Sequence, residues 1–508
     1  MIAHEIRVHP SAARLPRESQ LAWKIAEIAA AAGAPDVEVA RMVACRIVDN
    51  AAVALAAINR RPVASARAMA LAHPRPGGAS LFGLPDSVRV HAEWAAWANA
   101  TAVRELDFHD TFLAADYSHP GDSIGPLIAV AEQTGRDGAD LVRAITVAYE
   151  VHVALVKAIS LHAFKKDHVA HLAPATVAGI GALLRLPVEV VYQAVNLAVH
   201  LAFSTRQSRK GEISSWKAYV PGFSGKLAIE ATDRAMRGEA APNPIYEGED
   251  SVIAWMLGGK DARYTVHLPA PAAPMRAILE TYTKAHSAEY QAQALIDAAR
   301  ELRRKVDLTQ VEDILVRTSH HTHYVIGTGA NDPQKLDPDA TRETLDHSIM
   351  YILAVALEDG VWHHEASYTP ERAHRPSTVA LWHRIRTVED PQWTRRYHEA
   401  DPALRAFGGR IEVRLKDGSV TAVERAVADA HPNGAAPWTW PDYVEKFRSL
   451  TGGRIDAAES DRFIGRAQAV AALDPAGLRG LNPVLPAGLV TPSDATGAGI
   501  FDWPPPTA

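Results

Sequence analysis

Residues 174–203 read PATVAGIGALLRLPVEVVYQAVNLAVHLAF, with Arg185 and Glu189 as the only acidic or strongly basic side chains in the stretch. Apolar residues lie on nearly every side of any helix built here, and a helix that is apolar all round is buried. Pro187 interrupts the stretch, so it reads as two packed helices and not as the ~20 unbroken residues that cross a bilayer. Its alanines and glycines let neighbouring helices approach closely. The same alanine-rich texture continues back to the start of the chain. Residues 18–32, 37–56 and 138–157 carry apolar side chains three and four positions apart and read as amphipathic helices of one large helical domain.

After about residue 262 the texture changes. HLPAPAAPMRA (267–277) is proline-rich and reads as a linker. Residues 311–316 read as a strand and 344–357 as a helix. GRIEVRLKDGSVTAVE (409–424) reads as a β-hairpin turning at Lys416-Asp417-Gly418. Helical periodicity returns over 443–450 and 460–473. The expected fold is therefore mainly α: a large all-helical domain (1–273 and 425–482) interrupted by a smaller α+β lid domain (274–424). The Pro-, Gly- and Thr-rich tail, 483–508, is expected to be flexible. No repeat of solenoid period occurs.

Composition narrows the chemistry. With 508 residues the chain exceeds one compact core. A net charge of −6 and a pI near 6.4 give no reason to expect a nucleic acid or an anionic membrane as partner. One cysteine, Cys45, can supply neither an internal disulfide nor the thiolate set of an iron–sulfur cluster. The N-terminal MIAHEIRVHPSAARLPRE has no apolar signal core, and a cytoplasmic location is expected. No dinucleotide, P-loop or nucleophile-elbow motif is found, so no cofactor is expected.

Four polar clusters stand against this apolar background. Asp107-Phe-His-Asp-Thr111 and Asp116-Tyr-Ser-His119-Pro-Gly-Asp122 can be a polar surface loop, or a loop supplying an acid/base histidine with an orienting carboxylate. Lys165-Lys-Asp-His168-Val-Ala-His171 can be an ordinary helix start, or the rim of an anion site. Arg206-Gln-Ser-Arg209-Lys210 through Lys217 can be a solvated face, or a cationic pocket wall. The fourth comprises Thr283-Lys284 through Glu289-Tyr290, His320-His321-Thr-His323-Tyr324 and Asp346-His347 through Tyr351. Its histidine run fits no standard zinc spacing, and no metal is expected. As a strand it would turn His321 and His323 one way and His320 the other, while Asp346 would cap the 344–357 helix.

The strings ELDFHDTFLAADYSHPGD, KKDHVAHLAPATVAGIGA, SRKGEISSWKAYVPGFSGK, YTKAHSAEYQAQ, HHTHYVIGTG and LDHSIMYILAVALEDG, in this order, resemble the MmgE/PrpD family, and its actinobacterial dehydrating type in particular. The resemblance implies a helical domain made from both chain ends, an inserted lid, a homodimer and an active site between the domains. It implies removal of water from a 2-methylcitrate-like tricarboxylate in propionate catabolism. Matching cleft positions are Asp107, Thr111, His119, His168, Lys217 and Lys284. The spacing of Thr111 and His119 follows the dehydrating members rather than the decarboxylating ones. Phe112 departs from a tryptophan common in the family. On this basis Lys217, Lys284 and Arg209 are expected to hold carboxylates, and His119 and His168 to move protons. Asp107 is expected to orient a histidine and Thr111 to bind substrate, with His171 and Tyr324 as further substrate contacts. Citrate dehydration or cis-aconitate decarboxylation is the nearby alternative. A non-catalytic helical scaffold is the distant one, and it would scatter these residues over the surface.

Overall fold

In the computed structural model, which describes residues 1–399, 401–492 and 496–502, the opening stretch folds as helices Leu172–Leu184 and Val188–Ala202. Arg185 between them takes a left-handed φ of 56°, and Pro187 caps the second. A β-carbon on Gly181 would meet Val191 at 2.6 Å, so the hairpin closes only because that position lacks one. Helices Val37–Ala56 and Gly138–Ala158 start where expected. Asp36 and Asp137 accept hydrogen bonds from backbone N–H groups of their first turns.

Among the described residues two large hydrophobic cores dominate, with an aromatic cluster of Phe112, Tyr282, Tyr290, Tyr397 and Phe407 between them. The larger runs from Ile6 to Leu485 and joins the early helices to Tyr443, Phe447 and Phe463 near the other end. Helices Trp440–Thr451 and Ala457–Gln468 return to pack on Val37–Ala56. The smaller core lies between helices Tyr290–Leu302 and Ile349–Asp359 and a four-stranded sheet. The sheet order is Ile385–Glu389, Val311–Thr318, Gly409–Leu415, Val420–Arg425; the first pair is parallel and the others antiparallel. The protein is mainly helical with a small mixed sheet. No single helix among the described residues is long and apolar enough to cross a membrane.

Several local expectations are corrected. Strand Ile2–Arg7 pairs antiparallel with Arg263–Leu268, a ribbon within the helical region whose partners are too far apart in sequence to leave a local signal. The expected 344–357 helix is two, Arg342–Leu345 and Ile349–Asp359, because the Ser348 hydroxyl caps the second by accepting from Tyr351 N–H. Asp346 therefore does not cap the start of that helix; it ends the short Arg342–Leu345 helix instead. The strand before the histidine run ends at Thr318, and Thr322–Ile326 is a π-helical turn, so alternation of faces does not apply. His320 bonds Glu389 at 3.0 Å, His323 bonds Thr387 at 2.7 Å, and His321 stacks on Tyr397. The first part of the expected flexible tail is bonded to the helical region. Gly83 N–H donates to Pro483, Leu485 N–H donates to Gly83, and Thr491 N–H donates to Asn59. Residues 493–495 and 503–508 lie outside the described residues.

Candidate active site

Helix Ala92–Arg104 ends just before Asp107, which takes a left-handed φ of 48°. That conformation is uncommon for a residue with a side chain, though aspartate tolerates it better than most. The turn leaves the Asp107 carboxylate buried between two ammonium groups. Lys284 lies 2.5 Å from one oxygen and Lys217 lies 3.1 Å from the other. Lys284 also donates to the Asp107 carbonyl at 3.0 Å. Lys217, in the first turn of helix Trp216–Met236, donates to both oxygens of Asp346 at 3.0 Å. Arg104 approaches Asp107 at 3.5 Å and Arg342 approaches Asp346 at 3.4 Å. Asp346 also contacts His347.

Two histidines border this cluster. His119 Nδ1 lies 2.8 Å from the Asp110 carbonyl, which can only accept, so Nδ1 carries the proton and Nε2 is free. That Nε2 is 3.9 Å from Asp107. The His168 ring is 5.5 Å from that of His119, centre to centre. His168 Nδ1 faces Asp167 at 3.5 Å, and its buried Nε2 has no hydrogen-bond partner. Asp167 is fixed in turn by the Ser208 hydroxyl at 2.5 Å and by Arg209 at 3.3 Å.

Burial, followed by the charges of Arg104 and Lys284, pushes His119 well below the ordinary histidine range; burial and Arg209 do the same to His168. Both rings are neutral near pH 7. Burial alone would raise Asp107, but Lys217, Lys284 and Arg104 together hold its carboxyl well below the usual value. Asp346 is likewise held low against burial, chiefly by Lys217. Burial lowers Lys284, and Asp107 only partly offsets it. Glu289 also faces the cluster, and burial raises its carboxyl. Arg104, Lys217, Lys284 and Arg342 surround the ionised pair Asp107 and Asp346, with Glu289 beside Lys284 and with Glu105 and Glu343 acting on Arg342.

Asp107, Asp346 and His347 offer three ligand atoms within 4.8 Å of one another, the one grouping of metal-ligand type among the described residues. The Lys217 ammonium, 3.1 Å from Asp107 and 3.0 Å from Asp346, fills the cation position between the two carboxylates.

Helix Val37–Ala56 holds the cluster from behind. Arg46 donates to Thr283 Oγ1 at 3.0 Å and to the Thr281 carbonyl at 3.0 Å, fixing the approach to Lys284. Lys446, from the returning helix, pairs with Asp49 at 2.7 Å. It also donates to the carbonyls of Phe108 at 2.6 Å and Lys284 at 3.0 Å. Thr111 and Tyr282 exchange backbone hydrogen bonds, and the Thr111 hydroxyl donates to the Ser118 carbonyl at 2.8 Å.

Asp107, His119, His168, Lys217 and Lys284 are therefore brought together, with Thr111 in the adjoining hairpin. Arg209 sits behind Asp167 and lines a cavity of about 720 Å³. Tyr324, 47 % exposed, stands at the rim of that cavity and not in the cluster. His171 is not brought in either: its Nε2 is bonded to the Ile159 carbonyl at 3.0 Å. His347 stands in the fourth polar cluster of the sequence without a role assigned to it, whereas Arg104, Arg342 and Lys446 stand in none of the clusters. Only Arg104 left a trace, three positions before Asp107 at a helix end.

This fold and cluster define a class: mainly helical proteins with a small mixed sheet and a buried cationic site supplied by both cores. Residues 19–265 match the MmgE/PrpD N-terminal domain and residues 286–471 the MmgE/PrpD C-terminal domain, and the chain belongs to the MmgE/PrpD family. It is 29 % identical over 405 residues to the 2-methylcitrate dehydratase of Cupriavidus necator, covering 75 % of this chain and 79 % of that one. The 2-methylcitrate dehydratase of Salmonella typhimurium is 27 % identical over 411 residues, 77 % of this chain and 81 % of the relative. A mitochondrial 2-methylcitrate dehydratase of Yarrowia lipolytica is 26 % identical over 383 residues, 72 % and 71 % of the two chains.

Proposed function

We propose that the protein is a hydro-lyase that eliminates water from 2-methylcitrate to give 2-methyl-cis-aconitate. The observation that carries this is the meeting of two neutral histidines with the buried ammonium groups of Lys217 and Lys284. Elimination removes a weakly acidic proton beside a carboxylate and expels a hydroxyl that must be protonated. Fixed cations stabilise the charge that builds on the carboxylate in the transition state. In this mechanism Lys217, Lys284 and Arg209 face the substrate's carboxylates. His168 takes the C–H proton, since its Nε2 is unpartnered. His119 protonates the leaving hydroxyl. Burial, followed by Arg104 and Lys284, keeps His119 neutral in the free enzyme. In this scheme the substrate's negative charge opposes the two cations and favours protonation of the ring. Asp107 orients His119, and Thr111 lines the approach.

The unit spanning 274–424 serves as a lid in this scheme, closing when substrate bridges the two cores. A homodimer and a cytoplasmic location are part of the same proposal. Light scattering at twice the 54.8 kDa chain mass tests the dimer.

The decisive experiment incubates the purified protein with 2-methylcitrate, citrate and cis-aconitate, following absorbance of the unsaturated product and release of CO2. Formation of unsaturated acid from 2-methylcitrate without CO2 is the expected result. CO2 from cis-aconitate, or no reaction with any of the three, would replace or remove the proposal.

A further inference from the structure

We propose that the cavity outside the buried cluster recognises a distal carboxylate of the substrate, with Arg206 and Lys335 distinguishing a tricarboxylate from a dicarboxylate. This rests on the proposed reaction for the identity of the anion, but on separate geometry for the site.

The cavity, about 720 Å³, opens where the two cores meet. Lys165, Lys166, Arg206 and Lys210 come to it from the helical side and Lys335 from the sheet side, while Asp332 is the only carboxylate in its lining. Arg209, the sixth cation of the lining, pairs with Asp167 at 3.3 Å. Among the described residues no carboxylate lies within ion-pairing distance of any of the other five. Asp332 accepts instead from Gly211 N–H at 3.3 Å. In a chain of net charge −6, such a concave run of unpaired cations opposes the average and concentrates anions.

Two of the five are tied to the cluster. Arg206 Nε donates to the Tyr117 hydroxyl at 3.1 Å, and the Tyr117 ring lies 5.3 Å from that of His168. One side chain thus separates the guanidinium from the proposed base. The terminal nitrogens of Arg206 make no hydrogen bond among the described residues, and their fork matches a carboxylate. Lys335 is buried and donates to the His347 carbonyl at 2.9 Å, beside Asp346 of the cluster. Burial brings it down to about 8, so a carboxylate set beside it would restore its full charge. A substrate with one carboxylate at Lys217 and Lys284 and another at Arg206 and Lys335 would engage both cores at once.

The test is calorimetric titration with propane-1,2,3-tricarboxylate and with glutarate, neither of which has a hydroxyl to eliminate. Wild-type protein is expected to prefer the tricarboxylate by about tenfold or more, the scale of one charge-assisted pair. Arg206→Gln should reduce that preference below about threefold while glutarate affinity stays close to wild type. Arg206→Lys, which keeps the charge without the fork, should fall between, and thermal unfolding checks that each variant is folded. A second variant, Lys335→Met, should reduce the preference similarly. An unchanged preference in folded Arg206→Gln and Lys335→Met, or none in the wild type, overturns the proposal. The reaction is judged separately, by wild-type turnover of 2-methylcitrate. Loss of preference in the variants of a protein that dehydrates nothing would keep the distal site and remove the reaction.

Discussion

His168 and His171 are three positions apart on one turn; the Nε2 of the first is buried without a hydrogen-bond partner, and the Nε2 of the second is held by the Ile159 carbonyl. His168→Ala and His119→Ala are each expected to lower turnover by about 10²–10⁴. If both keep near-normal turnover, the proton-transfer assignment fails. His171→Ala should leave turnover within a few-fold and instead cost about 1–3 kcal/mol of stability in urea unfolding, because the Ile159 carbonyl would lose its buried donor. The pH dependence follows from the depressed histidines. Since His168 in the free enzyme stays neutral to well below 6.5, the acid limb of kcat/KM should fall below that value, and a limb at or above 6.5 would contradict its role as base. Because Lys217 occupies the cation position between Asp107 and Asp346, turnover should survive dialysis against a chelator, whereas its loss and recovery with added metal would put an ion there. Histidines, lysines and aspartates in polar clusters announced themselves in an apolar sequence. The family resemblance grouped Asp107, His119, His168, Lys217 and Lys284. The part of Asp346 stayed hidden, since Asp346 and Lys217 are 129 positions apart and nothing local to Asp346 distinguishes an ion pair from a cap.

Long helices were legible because burial imposes a 3.6-residue repeat on them, as in Val37–Ala56 and Gly138–Ala158. The hairpin at Lys416-Asp417-Gly418 was legible from turn chemistry, with Gly418 at φ 86°. The break at Ser348 was hidden by the apolar run that follows it, and the ribbon Ile2–Arg7 with Arg263–Leu268 by its sequence separation. Elements that carry no reacting group still position those that do. Lys446→Met would strand Asp49 and free the Phe108 and Lys284 carbonyls, and a broken buried pair costs about 3–5 kcal/mol. Chemical unfolding should register that loss. The loop before His119 has its own pH signature. Burial raises Asp116 from 3.8 to about 7, although the N–H groups of Tyr117, Leu161 and His162 oppose this. Between these values the folded chain holds a proton that the unfolded chain has released, so this group lowers stability as pH climbs from about 4 to 7. Asp116→Asn cannot titrate. Relative to wild type it should gain stability between pH 4 and pH 8, and the opposite trend in unfolding midpoints would refute the assignment.

At the scale of the molecule, a group of lysines and arginines gathers where both cores meet, inside a chain that is anionic overall. An anionic substrate should therefore bind less well as salt rises, and the fall in kcat/KM with ionic strength should be smaller in Arg206→Gln than in wild type. The mainly helical class with a small mixed sheet was legible from the change of texture near residue 262. The return of the last helices to Val37–Ala56 has a consequence for how the chain is made. The Tyr290–Leu302 helix and its sheet can consolidate while the ribosome is still translating. The groove on Val37–Ala56, and with it Lys446 behind the active site, stays vacant until Trp440–Thr451 emerges. Nascent chains arrested before that helix should resist protease across the sheet unit, remain cleavable through the early helices, and rely on chaperones until synthesis ends.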